Sequence, residues 1–141
     1  MNRNAKAQWK GDLRSGSGTI SADSGVLSNI PYSFKTRFEQ GNGTNPEELL
    51  AAAHAACFSM ALSLMLANEG LKADSIDTAC TISFEKEGDG FAIKRSHLDL
   101  KAKIPGAAQD AFIRAANNAK EGCPVSKLFD TEITLNAQLE S

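Results

Sequence analysis

The residues of this 141-residue chain best equipped for chemistry are its three cysteines, Cys57, Cys80 and Cys123. A cysteine reacts as the thiolate, so the local setting of each sulfur decides what it can do. Cys123 stands in GCPVSKLF, where Pro124 suits the first position of a short helix and Cys123 its N-cap. A sulfur there faces unpaired N–H groups and the positive end of the helix dipole, and both favour ionisation. A cysteine that fills a cap by chance fits equally well. Cys57 lies inside HAACFSMALSLML (54–66), in the middle of an apolar run. It gains nothing from a helix end, and desolvation should push its pKa above the free value of about 8.5. It becomes a nucleophile only if a cation is brought to it. His54, three residues earlier, and Arg37, if its segment packs against this helix, are the candidates. On local sequence alone, a packed core cysteine is the simpler reading of Cys57. Cys80 sits on the apolar face of a strand pattern and reads as a small buried residue.

The other polar residues have plain readings of their own. Arg37 between Lys35 and Glu39 reads as a solvated charge, Glu47 as a helix-dipole partner and His54 as a packed or interface histidine. His54 and Cys57 make half a metal site, but Cys123 and His97 lack the paired spacing that would complete it, so no metal is expected. The glycine loop GNGTNPEE is a poor phosphate cradle. Pro46 removes an N–H where an anion needs one, and Glu47 and Glu48 add negative charge.

The elements that must position these residues are legible in outline. AKAQWKG and SGSGTIS are short strand candidates, and YSFKTRFE alternates with Tyr32, Phe34, Thr36 and Phe38 on one face of an expected strand. After the EQGNGTN loop, Asn45 is a natural N-cap, Pro46 suits the first helical turn and Glu48 falls at the capping-box position. The helix should run to about Asn68 with Gly70 as its stop, about 34 Å in length. Its apolar residues run nearly all the way round, which predicts burial on most sides and a partner subunit covering part of it. SIDTACTISFEKE and GFAIKRSHLDLKAKI read as two strands joined at EGDG, with a change of phase that suggests a bulge near 95–97. A helix from about Ala107 to Glu121, the short CPVSKLF helix and a closing strand in TEITLNAQLE complete an α+β pattern in a single domain over 1–141.

Charge and composition narrow the function. Lys plus Arg number 15 against 17 Asp plus Glu, a net charge of −2 and a pI near 5.7, so nucleic acid is not an expected partner. The opening MNRNAKAQWK lacks the apolar core of a secretory signal, and three widely spaced cysteines argue for a reducing compartment, so a cytoplasmic location is expected. Residues 49–67 carry no formal charge and approach bilayer length. Their alanine content, His54, Ser59, Ser63 and acidic flanks favour a buried helix over a membrane span.

TNPEELLAAAHAACFSMALSLML, with KTRFE upstream and GCPVS near the end, resembles the OsmC/Ohr family of osmotically inducible and organic hydroperoxide resistance proteins. The resemblance extends to AQWKGD, GSGTIS, SGVLS and TEITLNAQLE, covers nearly the whole chain, and is nearer the OsmC branch. It implies an OsmC-like α+β fold, with antiparallel sheets around a long buried central helix in an intertwined homodimer. It also implies a thiol-dependent peroxidase that reduces organic hydroperoxides to alcohols without a cofactor or metal. The peroxidatic cysteine maps onto Cys57, the resolving cysteine onto Cys123, the arginine onto Arg37 and the glutamate onto Glu47. The resemblance implies a dithiol as reductant, such as that of a lipoyl protein.

In that chemistry the Cys57 thiolate attacks one peroxide oxygen, and the sulfenic acid condenses with Cys123 to a disulfide. Arg37 can hold the thiolate and the developing negative oxygen, Glu47 can fix its fork, and His54 is a modulator. An apolar wall drawn from Phe58, Met60, Phe34 or Phe38 would favour bulky peroxides. Glu47 and Cys57 lie ten residues apart on one helix, about 15 Å of rise, which predicts Arg37 and Glu47 supplied in trans across a subunit interface. A non-enzymatic ligand-binding protein and a thiol redox sensor of the same fold are the alternatives. Cys123, which a binding module does not need, tells against the first.

Overall fold

Gly18 holds the first sheet together by having no side chain. Strands β1 (Ala5–Lys10), β2 (Ser17–Ala22) and β3 (Ile30–Tyr32) form an antiparallel sheet in the order β1-β2-β3, and Gly18 pairs with Trp9 on one side and Tyr32 on the other. The two rings close over it, with centroids 5.4 Å apart, and a Cβ at this position would run into both. The computed structural model describes residues 1–128 and Thr134.

The strand expected in YSFKTRFE ends at Tyr32, and α1 (Phe34–Phe38) follows it. Ser33 is the cause. Its hydroxyl accepts the Thr36 N–H at 3.2 Å, while the Thr36 hydroxyl accepts the Ser33 N–H at 2.8 Å, a complete capping box. Phe34 and Phe38 stack with centroids 4.6 Å apart. A spacing of four fits both a strand face and one helical turn, and the cap selects the turn.

The long helix α2 (Pro46–Asn68) begins and ends as its sequence implies. The Asn45 side chain accepts the Glu48 N–H at 2.8 Å, while the Glu48 carboxylate takes the Thr44 hydroxyl at 2.7 Å. At the far end Gly70 adopts φ +73°, and the Leu71 N–H returns to the Leu66 carbonyl at 2.9 Å. Phe58, Leu62 and Leu66 recur every four residues on one buried edge, packed with Ala115, Ala119 and Cys123. By length and composition α2 could cross a membrane, but this edge is core here. Burial on most sides is not reached within one chain: Met60 and Leu64 are 77% and 58% exposed, in line with Ala53, Ala56 and Ala67. Phe58, expected as a pocket wall, belongs to the core instead.

Strands β4 (Ser75–Glu87) and β5 (Gly90–Lys103) form a two-stranded sheet, turning at Gly88 with φ +58°. β5 runs unbroken. Its half-buried positions, from Ala92 through Ser96, Leu98 and Leu100 to Ala102, keep one phase, so the expected bulge near 95–97 is not required. Phe91 and Ile93 simply face the other way. Helices α3 (Gln109–Gly122) and α4 (Pro124–Leu128) follow, with Cys123 between them. The strand expected in TEITLNAQLE falls outside the described residues, apart from Thr134. The architecture is α+β with antiparallel sheets and a long helix. It comprises two compact units, one of residues 1–52 and 81–96, the other of 53–80 and the chain from 97 onward, with the boundaries inside α2, β4 and β5.

Candidate active site

The first unit carries the guanidinium. Arg37, on α1 rather than on the polar face of a strand, makes a side-on pair with Glu47 in the first turn of α2. Nε donates to Oε1 at 3.1 Å and to Oε2 at 3.3 Å, and Nη2 donates to Oε1 at 2.7 Å. Glu47 is 8% exposed, so its charge is answered by this pair. The fork also lies over aromatic rings: its carbon is 4.8 Å from the Phe84 centroid and 5.7 Å from that of Phe38. Phe38, Phe84 and Phe91 contact one another at 5.2–5.7 Å between centroids. Glu47 uses the Nε and Nη2 edge of the fork. A cavity of about 230 Å³ opens beside it, lined by Trp9, Tyr32, Phe34, Phe38 and Arg37 among others. Such a wall suits an apolar molecule that carries one polar, charge-accepting end.

The second unit carries the thiols. Cys57 on α2 and Cys123 at the N-cap of α4 hydrogen-bond to each other and are not joined as a disulfide. Their ionisation is unequal. Burial pushes the Cys57 thiol up, the bond to Cys123 pushes it further, and the Val125 amide is outweighed. Burial acts on Cys123 in the same sense. There it is overcome by hydrogen bonds from Cys57, from the Ser126 amide and hydroxyl and from the Val125 amide, so Cys123 is held below its ordinary value. Both directions agree with what the two sequence settings imply. Within this pair Cys57 is the weaker acid and Cys123 the stronger.

His54 is 5% exposed, with Nε2 at 2.8 Å from the Ser126 hydroxyl and Nδ1 at 4.0 Å from the Cys80 sulfur. Burial lowers its pKa and keeps it neutral near pH 7. Among the described residues, no cluster of three or more His, Cys, Asp or Glu could hold a metal ion.

Sequence reasoning named Arg37, Glu47, Cys57 and Cys123. The structure joins the first two in one unit and the last two in the other. It missed Ser126 and the Phe84–Phe91 pair. The serine's signal was its place three residues after an N-cap cysteine, and the rings' was their position flanking the EGDG turn.

Residues 39–138 match the model of the OsmC-like protein family. The chain belongs to the OsmC-like family. Among curated OsmC-like relatives, Peroxiredoxin OsmC of Escherichia coli strain K12 is 50% identical over all 141 residues and 99% of its own length. Organic hydroperoxide resistance protein OhrB of Bacillus subtilis is 29% identical, covering 87% of this chain and 89% of the relative. The crystal structure of the latter protein superposes with a TM-score of 0.66 over 89% of each chain. An OsmC-like protein of Vibrio cholerae, 18% identical, superposes with a TM-score of 0.71 over 94% of this chain and 96% of its own, a likeness of fold.

Proposed function

We propose that the chain is a cysteine-based peroxidase that reduces organic hydroperoxides to alcohols. The observation that carries this reading is the Cys57–Cys123 pair, two reduced thiols in hydrogen-bond contact with opposite ionisation tendencies. Two relatives, Peroxiredoxin OsmC of Escherichia coli and the organic hydroperoxide resistance protein OhrB of Bacillus subtilis, support the same reading by name.

In the proposed cycle the Cys57 thiolate attacks one oxygen of the O–O bond, and the other oxygen leaves as the alcohol after taking a proton. Cys57 becomes a sulfenic acid. Cys123 attacks its sulfur, and a disulfide and water result before over-oxidation to sulfinic acid can occur. An external dithiol, such as that of a lipoyl protein, reopens the disulfide by exchange. Arg37 binds the peroxide and the oxygen that gains charge, and Glu47 holds the guanidinium in place. The cycle needs no metal or cofactor.

Glu47 and Cys57 are ten residues apart in the sequence of α2, and ten helical residues rise about 15 Å, which supports a site shared between subunits. In the proposed homodimer, the Arg37–Glu47 pair of one subunit serves the Cys57 of the other. The exposed side of α2, with Met60 and Leu64, is the surface available for a partner to cover. The two units act as one domain, and the enzyme works in the reducing cytoplasm.

Intact-mass analysis after one equivalent of cumene hydroperoxide tests the proposal. The expected product has lost two hydrogens and yields a Cys57–Cys123 cross-linked peptide. Undiminished hydroperoxide turnover by Cys57→Ser would reject it.

A further inference from the structure

His54 is a buried titratable group that the proposed cycle leaves unused, and its surroundings connect it to the resolving thiol. Its Nε2 lies 2.8 Å from the Ser126 hydroxyl, and that hydroxyl also hydrogen-bonds Cys123, which is fully buried. The order His54–Ser126–Cys123 joins α2 to α4 without an exposed group. We infer that His54 is a positioning residue for Cys123, acting through Ser126 to take up the proton of the resolving thiol as the disulfide forms. The inference rests on the peroxidase reading for its place in the cycle.

A serine hydroxyl has one proton, so the chain can point only one way at a time. With Cys123 as the thiol, its S–H donates to the Ser126 oxygen and the serine O–H donates to Nε2 of His54, which then carries its proton on Nδ1. With Cys123 as the thiolate, the serine O–H turns to the sulfur and His54 donates from Nε2. Directly after the transfer His54 carries a proton on both ring nitrogens. At equilibrium above the Cys123 midpoint the Nδ1 proton has been lost to solvent, Nδ1 is the acceptor, and the Cys80 sulfur lies 4.0 Å from it. In the resolving step the Cys123 sulfur attacks the Cys57 sulfur of the sulfenic acid. The S–S bond forms, the S–O bond breaks and hydroxide leaves. The thiol proton, passed through Ser126 to His54, is returned to that hydroxide, so the balance is one disulfide and one water.

Among the described residues, the titratable groups facing this chain include Cys57 and His54 of α2 and Cys80 of β4. Lys127 of α4 and Lys120 and Glu121 of α3 are exposed. Burial keeps His54 neutral in the resting protein and so able to accept.

The test uses the full-length reduced protein, labelled with 15N-histidine and 13Cβ-cysteine. As the Cys123 carbon titrates, the His54 ring should switch from the Nδ1–H to the Nε2–H tautomer with the same midpoint, in unmodified protein. His54→Gln and Ser126→Ala should each lower the ionisation constant of Cys123 about tenfold, with no further loss in the double variant, because both break one chain. Both should slow the conversion of sulfenic acid to disulfide about tenfold in single-turnover mixing, while leaving sulfenic acid formation unchanged. A His54 ring that keeps one tautomer throughout the Cys123 titration would overturn the inference, as would additive effects of the two substitutions. A tautomer switch in a protein that forms no disulfide after hydroperoxide would sink the peroxidase reading and leave the proton path standing.

Discussion

Replacing Glu47 by glutamine tests whether the Arg37 fork is held for catalysis or only for stability. The amide is nearly isosteric with the carboxylate. Its oxygen can keep the Nη2 contact at 2.7 Å and the Nε contact at 3.1 Å, which both fall on Oε1. It loses the charge and the Nε contact to Oε2. A charge-assisted hydrogen bond contributes about 1.5–3 kcal/mol and a neutral one about 0.5–1.5 kcal/mol, so the pair should weaken by about 1–1.5 kcal/mol. The Arg37 side chain is 37% exposed, which keeps the loss below that of a fully buried pair. In a chain of this size the melting temperature should fall by about 2–6 °C. If the same energy holds the fork where the peroxide binds, kcat/KM for cumene hydroperoxide should fall about tenfold. Glu47→Ala removes every contact and should cost about a hundredfold. The assay is hydroperoxide loss in excess dithiol, with calorimetry alongside. Should both variants melt earlier yet keep the native kcat/KM, the Arg37–Glu47 pair would be a structural tie, and its catalytic role would be withdrawn.

Three further outcomes follow from the same geometry. Cys123→Ser should complete one turnover and then accumulate Cys57 sulfinic acid, read as two added oxygens in the intact mass; a full multi-turnover rate would contradict the resolving role. Ser33→Ala removes half the capping box of α1 and should cost about 1 kcal/mol of stability, together with activity, because Arg37 rides on that helix; scanning calorimetry and the peroxidase assay check it. Burial lowers the His54 pKa from its ordinary 6.5, so the unfolded chain takes up this proton first. The stability His54 contributes is therefore complete above pH 6.5 and is lost as pH falls from there through its folded value. Urea midpoints at pH 7.5 and 5.5 should differ less in His54→Gln than in the native chain.

Much of this was legible in the sequence because local rules and tertiary structure agree. Asn45, Pro46 and Gly70 marked the ends of α2, and strict alternation from Ile76 to Phe84 marked β4. The segment after Tyr32 was misread because Phe34, Thr36 and Phe38 satisfy two periods at once. Only the Ser33–Thr36 reciprocity separates them, and that lies in backbone geometry. The phase change in β5 was real in composition but reports a second use of the strand. Its odd residues Phe91 and Ile93 serve the outer face, and Phe91 joins the rings beneath Arg37. The four site residues were found through a resemblance, since each alone looks ordinary. Ser126 stayed hidden because its partner His54 is 72 residues away and no periodicity links them.

The unequal thiols bear on how the proposed cycle is ordered. Within its own unit Cys57 is the weaker acid, yet it must ionise first. Placed about 4 Å from its sulfur at an effective dielectric of about 20, a guanidinium contributes about 4 kcal/mol to the thiolate. A second sulfur one hydrogen bond further away gains about half of that. The difference, about 2 kcal/mol, shifts the balance of ionisation toward Cys57 by about thirtyfold. In the proposed homodimer, a partner Arg37 would therefore work against the order that a single chain sets. Once Cys57 has become a sulfenic acid it no longer competes for that charge. Ser126, the Val125 amide and the guanidinium then all favour the Cys123 thiolate, which is the form the second step requires. In the proposed homodimer one fixed cation would serve two successive nucleophiles, first Cys57 and then Cys123.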